Sequence, residues 1–396
     1  MKNLIHNANL VLPDRIIHDG WLVTDGICID DFGSGNYPKG EFDNIYNAEG
    51  GYVTPGFVDT HVHGAMKHDF TDGDENKALE IMRHHFKGGT TTILPTLTSV
   101  THETYIKSFE MFNHLIPKMK EMTDIPEFGG LHMEGPYCSG EALGAQNTKT
   151  YRDVDYNEVN QYLEMAPYIK KWTAACERKG GIDFGRFLEK RGIIASIGHS
   201  NASLEEVFEA YSAGYHHITH LYSACSSYHR VGAYRKAGIV EAAWLIDDMN
   251  VEMITDGVHL PKHFLQLIYK IKGPDHISMI TDATRYCGVD VPDGTLVPYR
   301  DGEDKGVYIE NGVALVQDRS CFAGSIATTD RLLRTAVQIA EISLVDAVKM
   351  LTLTPARING LDGSVGSIRR GLKANLVLLS PELVVRGIFL RGLKVL

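Results

Sequence analysis

Cysteine is scarce and dispersed: the 396 residues hold six, at 28, 138, 176, 225, 287 and 321, with no C-x-x-C pair among them. Such spacing builds neither a zinc ribbon nor a disulfide framework, and a reduced, cytoplasmic setting is the simplest expectation. Apolar runs long enough to span a bilayer are missing as well. Residues 1–12 carry Lys, Asn and His among the apolar positions, so no signal-peptide core is expected. Positive charge is in deficit, with 39 Lys and Arg against 50 Asp and Glu and a formal net charge of -11. Without a basic stripe interleaved with aromatics, the chain offers no electrostatic footprint for nucleic acid. An anionic small-molecule substrate would need local Arg, His or backbone N–H groups, because the overall field does not attract it.

Hydrophobic residues make up 43% and charged residues 22%, the balance of an ordinary globular protein. The length exceeds what one core usually holds, which predicts one large domain with a smaller companion. Short apolar strands broken by turn residues fill 4–12, 20–29 and 42–48, with Asp25-Gly26 as the expected hairpin turn. Strands return at 375–379 and 387–390, so residues 1–54 and 361–396 are assigned to one small β-sandwich. Between them strand and helix alternate. Strands are predicted at 56–60, 91–97, 127–133, 171–176, 193–197, 217–221, 251–255 and 277–281. Helices include 76–87, stopped by Gly88-Gly89, and 204–213, capped by Ser203. The alternation predicts an α/β fold, a TIM-type (β/α)8 barrel over 55–360, whose chemistry gathers on loops after the carboxyl ends of the strands.

The most informative stretch is 54–64, a β-branched and aromatic run that ends in His61 and His63. Side chains at i and i+2 share a face of a strand, so both rings can approach one cation. Glu134 stands directly before Gly135-Pro136, on a turn that cannot continue as regular structure; a solvated loop acid is the plain alternative. His199 follows Gly198, which is expected to leave room for a metal near the backbone. In His217-Ile218-Thr219-His220, alternation lets only one of the two histidines face the interior, and strand-end position favours His220. Asp282 follows a buried apolar strand, where an ionised carboxylate needs a cation or donors. There it can accept the proton of a bound water and return it to a leaving group. All of these side chains fall at the same end of their strands, whereas random placement would scatter them over both rims. Imidazole and carboxylate without thiolate suit zinc or another first-row divalent ion better than calcium or magnesium.

These motifs resemble a known family. Pro55-Gly56-Phe57-Val58-Asp59-Thr60-His61-Val62-His63-Gly64 is similar to the opening of the amidohydrolase superfamily. Leu131-His132-Met133-Glu134-Gly135-Pro136, Gly198-His199-Ser200-Asn201-Ala202, Thr219-His220-Leu221-Tyr222, Asp256-Gly257-Val258-His259 and Thr281-Asp282-Ala283 resemble, in order, the N-acetylglucosamine-6-phosphate deacetylase family. The tail is similar too, with Phe322-Ala323-Gly324-Ser325, Thr354-Pro355-Ala356-Arg357 and Gly371-Leu372-Lys373-Ala374-Asn375-Leu376-Val377. Its Glu-Gly-Pro element discriminates most, since many other amidohydrolases use a carboxylated lysine on strand four.

The resemblance implies that Glu134, His199 and His220 hold the principal metal, zinc first with iron, manganese or cobalt as alternatives. It implies Asp282 as the acid/base, and His61 with His63 leaves a second ion open. The implied activity is that of a metal-dependent hydrolase acting on a linear amide C–N bond, freeing acetate from an N-acetylated amino sugar phosphate. For the phosphate it implies His259, the backbone at Ser223 and Ala224, and Arg235, which in this family can reach across from the neighbouring subunit of a homodimer. Three positions depart from the pattern. Ser223-Ala224-Cys225 stands where the family usually has Asn-Ala-Met, and Gln146 where it usually has a histidine that polarises the acetyl carbonyl or holds the sugar. Gln donates a hydrogen bond but carries no charge, so carbonyl activation falls more heavily on the metal. An amidohydrolase for another N-acyl or cyclic amide is the second expectation. A barrel kept for binding after losing its metal is the third, and the complete set of His61, His63, Glu134, His199, His220 and Asp282 speaks against it.

Overall fold

Phe57–Val62, Thr90–Leu97 and Leu131–Glu134 are buried at every position. A strand covered on both faces belongs in a parallel sheet under helices. The computed structural model describes residues 1–300 and 306–396. In it, eight largely buried strands form a barrel: β1 (Phe57–Val62), β2 (Thr90–Leu97), β3 (Leu131–Glu134), β4 (Ile169–Ala174), β5 (Ile194–Ile197), β6 (Tyr215–Ile218), β7 (Asn250–Ile254) and β8 (Ile277–Ile280). Each hydrogen-bonds in parallel to the next in chain order.

The ring closes between β8 and β1 at its carboxyl rim. Val62 bridges Ala283 in parallel, Asp282 N donates to His61 O at 2.9 Å, and His63 N donates to Ala283 O at 2.9 Å. Asp59 Oδ2 accepts from Thr281 Oγ1 at 2.6 Å and ties the same two strands through side chains. The expected third strand is interrupted: Glu127–Phe128 and Leu131–Glu134 both pair with β2, and Gly129-Gly130 break the run between them.

Helix boundaries follow local chemistry. Glu75–Lys87 starts on Asp74, whose carboxylate accepts from Asn76 N and Lys77 N, and stops at Gly88. Leu204–Ser212 carries a reciprocal cap in which Ser203 Oγ accepts from Glu206 N while Glu206 Oε2 accepts from Ser203 N. Among the described residues no helix is long and apolar enough to cross a membrane.

Both termini join in one eight-stranded mixed sheet with its own core of Ile5, Leu10, Leu22, Val53, Leu376 and Phe389. Tyr52–Pro55 lies between the strand from Lys2–Val11 and the strand Leu376–Leu379, and leads directly into β1. The hairpin between Ile16–Asp25 and Cys28–Ser34 pairs Asp25 with Cys28, so its turn is Gly26-Ile27 rather than Asp25-Gly26. The positive φ of 56° falls on Gly26, the residue that adopts it without strain.

A second antiparallel sheet, absent from the expectations, follows β8: Thr295–Pro298, Gly306–Glu310, Val313–Val316 and Phe322–Ser325. Its signal was Asn311-Gly312, which forms a two-residue turn between the paired Glu310 and Val313 with φ of 53° and 77°. The last of these strands returns to the barrel seam, where Ser325 N donates to Asp282 O at 2.9 Å.

Replacing Ser203 with Ala removes one half of a reciprocal cap whose side chain meets none of the ligand candidates. A loss of about 1 kcal/mol is expected, read as a lower urea midpoint with an unchanged slope and unchanged cation content.

Candidate metal centre

Glu134, the last residue of β3, stands at the centre of the rim. Its Oε1 lies 2.9 Å from His199 Nε2, 3.0 Å from His220 Nε2 and 3.4 Å from His61 Nε2; its Oε2 lies 3.4 Å from His63 Nε2. Two ligand-competent groups share this carboxylate: His61, His63 and Glu134 on one side, Glu134, His199 and His220 on the other. Asp282 Oδ1 stands 3.1 Å from His63 Nε2 and 3.5 Å from His61 Nε2.

The tautomers follow from the partners. His199 Nδ1 meets Ala142 O at 3.1 Å and His220 Nδ1 meets Ser223 O at 3.0 Å. A carbonyl only accepts, so each Nδ1 carries a proton and Nε2 is the ring nitrogen turned to the cavity. His61 Nδ1 is placed in the same way against Glu252 Oε2 at 2.9 Å. Nε2 atoms 3.2 Å apart in both histidine pairs, facing a carboxylate, repel one another unless a proton or cation lies between them. This donor set fits a divalent first-row ion.

Backbone conformation explains how the rings converge. His199, His220 and Asp282 have φ of 48°, 30° and 46°, in the left-handed region that L-residues avoid. Each sits two residues beyond the last residue of its strand, Ile197, Ile218 and Ile280. At about 1–2 kcal/mol per residue, three such turns are a substantial strain, concentrated where chemistry is expected. They also correct two expectations. His217 and His220 both face the interior: His217 Nδ1 meets Ser196 Oγ at 2.8 Å inside the barrel, and β6 ends at Ile218, so alternation no longer applies at His220. Gly198 leaves no space for a metal, since a Cβ there would lie 2.7 Å from both Thr173 and Thr219 side chains.

Ionisable groups crowd the rim. Burial opposes a proton on His61, yet the Glu252, Asp282 and Glu134 carboxylates push its pKa up to about 10. Burial likewise opposes ionisation of Glu134 and Asp282, but the surrounding histidines hold Glu134 well below the usual carboxylate range and Asp282 below it. His199 is raised by Glu134 against its own burial. Beneath them, burial drives His217 down to about 3 and His132 well below its ordinary value, so both of these rings stay neutral.

The cavity above the rim, of about 390 Å³, is lined by His63, Glu134, Gln146, His259 and Asp282, together with Ser223 and Ala224. Gln146 is committed to the protein: its Oε1 accepts from Thr98 Oγ1 at 2.7 Å and Ser99 N at 2.9 Å, which leaves Nε2 to donate to Glu134 Oε2 at 2.7 Å. His259 Nδ1 donates to Asp256 Oδ2 at 2.7 Å, and its ring lies 4.5 Å from that of Phe322. Arg235 is not brought to this cavity; it stands on an exposed hairpin, His229–Val231 with Tyr234–Lys236. Sequence reasoning passed over Glu252 and Lys171, whose only signal was a charged residue inside a strand buried on both faces.

Comparison with known proteins matches residues 52–395 to the amidohydrolase family. The chain belongs to the amidohydrolase family. It is 31% identical to an N-acetylglucosamine-6-phosphate deacetylase from Haemophilus influenzae, over 99% of both chains. Among solved structures, the N-acetylglucosamine-6-phosphate deacetylase of Pasteurella multocida aligns with a TM-score of 0.89 at 26% identity, covering 100% of both chains. A point mutant of the Mycobacterium smegmatis deacetylase, in complex with N-acetyl-D-glucosamine-6-phosphate, aligns with a TM-score of 0.86 at 26% identity, over 100% of this chain and 98% of that one.

Proton competition at this amidohydrolase centre has a definite sign. Cation-free His61, with its pKa near 10, is protonated at pH 7 and must lose that proton to bind. Calorimetric titration with Zn²⁺ in buffers of different ionisation enthalpy should show net proton release, with apparent affinity rising as pH increases. In the cation-free protein the His61 contribution to stability is complete below 6.5 and lost as pH climbs through about 10. The Glu134 and Asp282 contributions are lost instead as pH falls through their depressed pKa values. A midpoint that rises steadily from pH 7 to pH 10 would contradict this.

Proposed function

We propose that this amidohydrolase is a metal-dependent deacetylase that converts N-acetylglucosamine 6-phosphate to glucosamine 6-phosphate and acetate. One observation carries the reading: a carboxylate, Asp282, sits 3.1 Å from His63 beside two imidazole groups that share Glu134. The substrate assignment is supported by the named relatives, one of them bound to N-acetyl-D-glucosamine-6-phosphate.

Glu134, His199 and His220 would hold the principal cation, and His61, His63 and Glu134 would hold a second. Zinc suits these donors best. When bound, the cation supplies Lewis acidity, which makes water a nucleophile near neutral pH and draws charge from the acetyl carbonyl. Asp282, ionised because the histidines depress its pKa, takes the proton of the attacking water. It then delivers that proton to the amide nitrogen as the C–N bond breaks, so that the sugar leaves as a neutral amine rather than an amide anion. Gln146, by holding Glu134 Oε2, keeps the shared carboxylate facing both groups.

His259, Ser223 and Ala224 line the cavity where the sugar phosphate would lie. Arg235 reaches the phosphate in this reading only from a second copy of the chain, as a homodimer would bring it. The exposure of Tyr228, Val231 and Tyr234 around it, at 54%, 56% and 76%, supports that role for the hairpin.

Acetate release from the phosphorylated and unphosphorylated sugars tests the substrate; equal kcat/KM values for both would sink the phosphate assignment and favour another N-acyl substrate. Asp282→Asn should retain the cation and lose turnover by about 10²–10⁴-fold. Glu134→Ala and His220→Asn should lose the cation itself, as elemental analysis would report. Arg235→Ala should raise KM for the phosphorylated sugar with little change for the unphosphorylated one, and sedimentation should give twice the chain mass for the wild type.

A further inference from the structure

Glu252 lies in β7 between Val251 and Met253, which pack outward into the main core, so its carboxylate points to the barrel axis beneath the metal centre. Glu252 and Lys171, from β4, are both at 0% exposure. Oε1 of Glu252 receives Lys171 Nζ. Oε2 accepts from His61 Nδ1 at 2.9 Å and from the backbone N of His220 at 3.2 Å. A single oxygen therefore holds a ring from one ligand group and the main chain of a ligand from the other.

A buried ion pair that served folding alone could be replaced by packed apolar side chains without loss. Nothing in that role requires the carboxylate to spend its second oxygen on two residues of the cation site. The His220 amide it accepts from belongs to a residue at φ 30°, a conformation that needs outside support. Lys171 supplies the charge that lets the carboxylate exist without water.

We propose that Glu252, braced by Lys171, is a positioning residue for the metal centre: it sets the tautomer and direction of the His61 ring and pins the main chain of His220. The proposal rests on the cation-binding reading above. Carboxylates placed behind ligating histidines raise metal affinity by about 10–100-fold. The His199 and His220 rings rest on the carbonyls of Ala142 and Ser223 rather than on Glu252, so its removal acts unequally on the two groups.

The test is titration of cation-free protein with Co²⁺, followed by calorimetry and visible absorption. Two binding steps are expected in the wild type, the His61 step being the one lost in His63→Asn. Glu252→Gln keeps the shape but cannot accept from both His61 and Lys171. It should weaken the His61 step by about tenfold or more, with a smaller change in the other. Unchanged affinities overturn the proposal even if the variant melts at a lower temperature, because a purely structural role predicts that result. So does a wild type whose single step survives His63→Asn. A wild type that binds no Co²⁺ or Zn²⁺ sinks the metal reading beneath it instead. Should Glu252→Gln fail to fold, ¹⁵N-histidine spectra of the zinc-loaded wild type decide. His61 must be protonated at Nδ1 and bound through Nε2, and binding through Nδ1 overturns the proposal.

Discussion

The centre depends on the register of one seam. Where β8 meets β1, Asp282 N donates to His61 O and His63 N donates to Ala283 O. The same two segments carry the acid/base candidate and two imidazoles, so closing the barrel and setting the 3.1 Å approach of Asp282 to His63 are one event. A slip of one residue would turn every side chain on the strand to the opposite face. The Asp59–Thr281 hydrogen bond at 2.6 Å resists that slip from within, and the strand ending at Ser325 resists it from above.

Below the seam the barrel is filled with polar groups that bond to one another. His132 Nε2 meets Thr173 Oγ1 at 2.8 Å, Thr173 Oγ1 meets Thr219 Oγ1 at 2.7 Å, and Ser196 Oγ meets His217 Nδ1 at 2.8 Å. Their burial keeps both histidines neutral. The layer thereby holds its two histidines uncharged beneath a rim whose own histidines meet carboxylates. The Lys171–Glu252 pair, with its charges balanced, stands in this layer against His61.

Much of this was legible in the sequence because it rests on local rules. Alternation of buried strands and capped helices specified the barrel, and Ser203 and Gly88 begin and end helices as their chemistry demands. His61, His63, Glu134, His199, His220 and Asp282 were legible because strand ends collect on one rim. Strand periodicity failed at His217 and His220, since it assumes the strand continues while a left-handed residue had ended it. The sheet at 295–325 was overlooked despite its Asn-Gly turn. Glu252 was out of reach for another reason: its partners, His61 and Lys171, are 191 and 81 residues away, and no local pattern records such a meeting.

The strand Tyr52–Pro55 has a consequence for how the enzyme is made. It is flanked on one side by Lys2–Val11 and on the other by Leu376–Leu379, and the polypeptide then runs straight into the strand bearing His61. During translation that second flank stays bare until Leu376–Leu379 has left the ribosome, and Asp282 too emerges long after His61. The rim that carries His61, His63, Glu134, His199, His220 and Asp282 is therefore whole only after β8 has been synthesised, and the sheet beside β1 only after Leu376–Leu379.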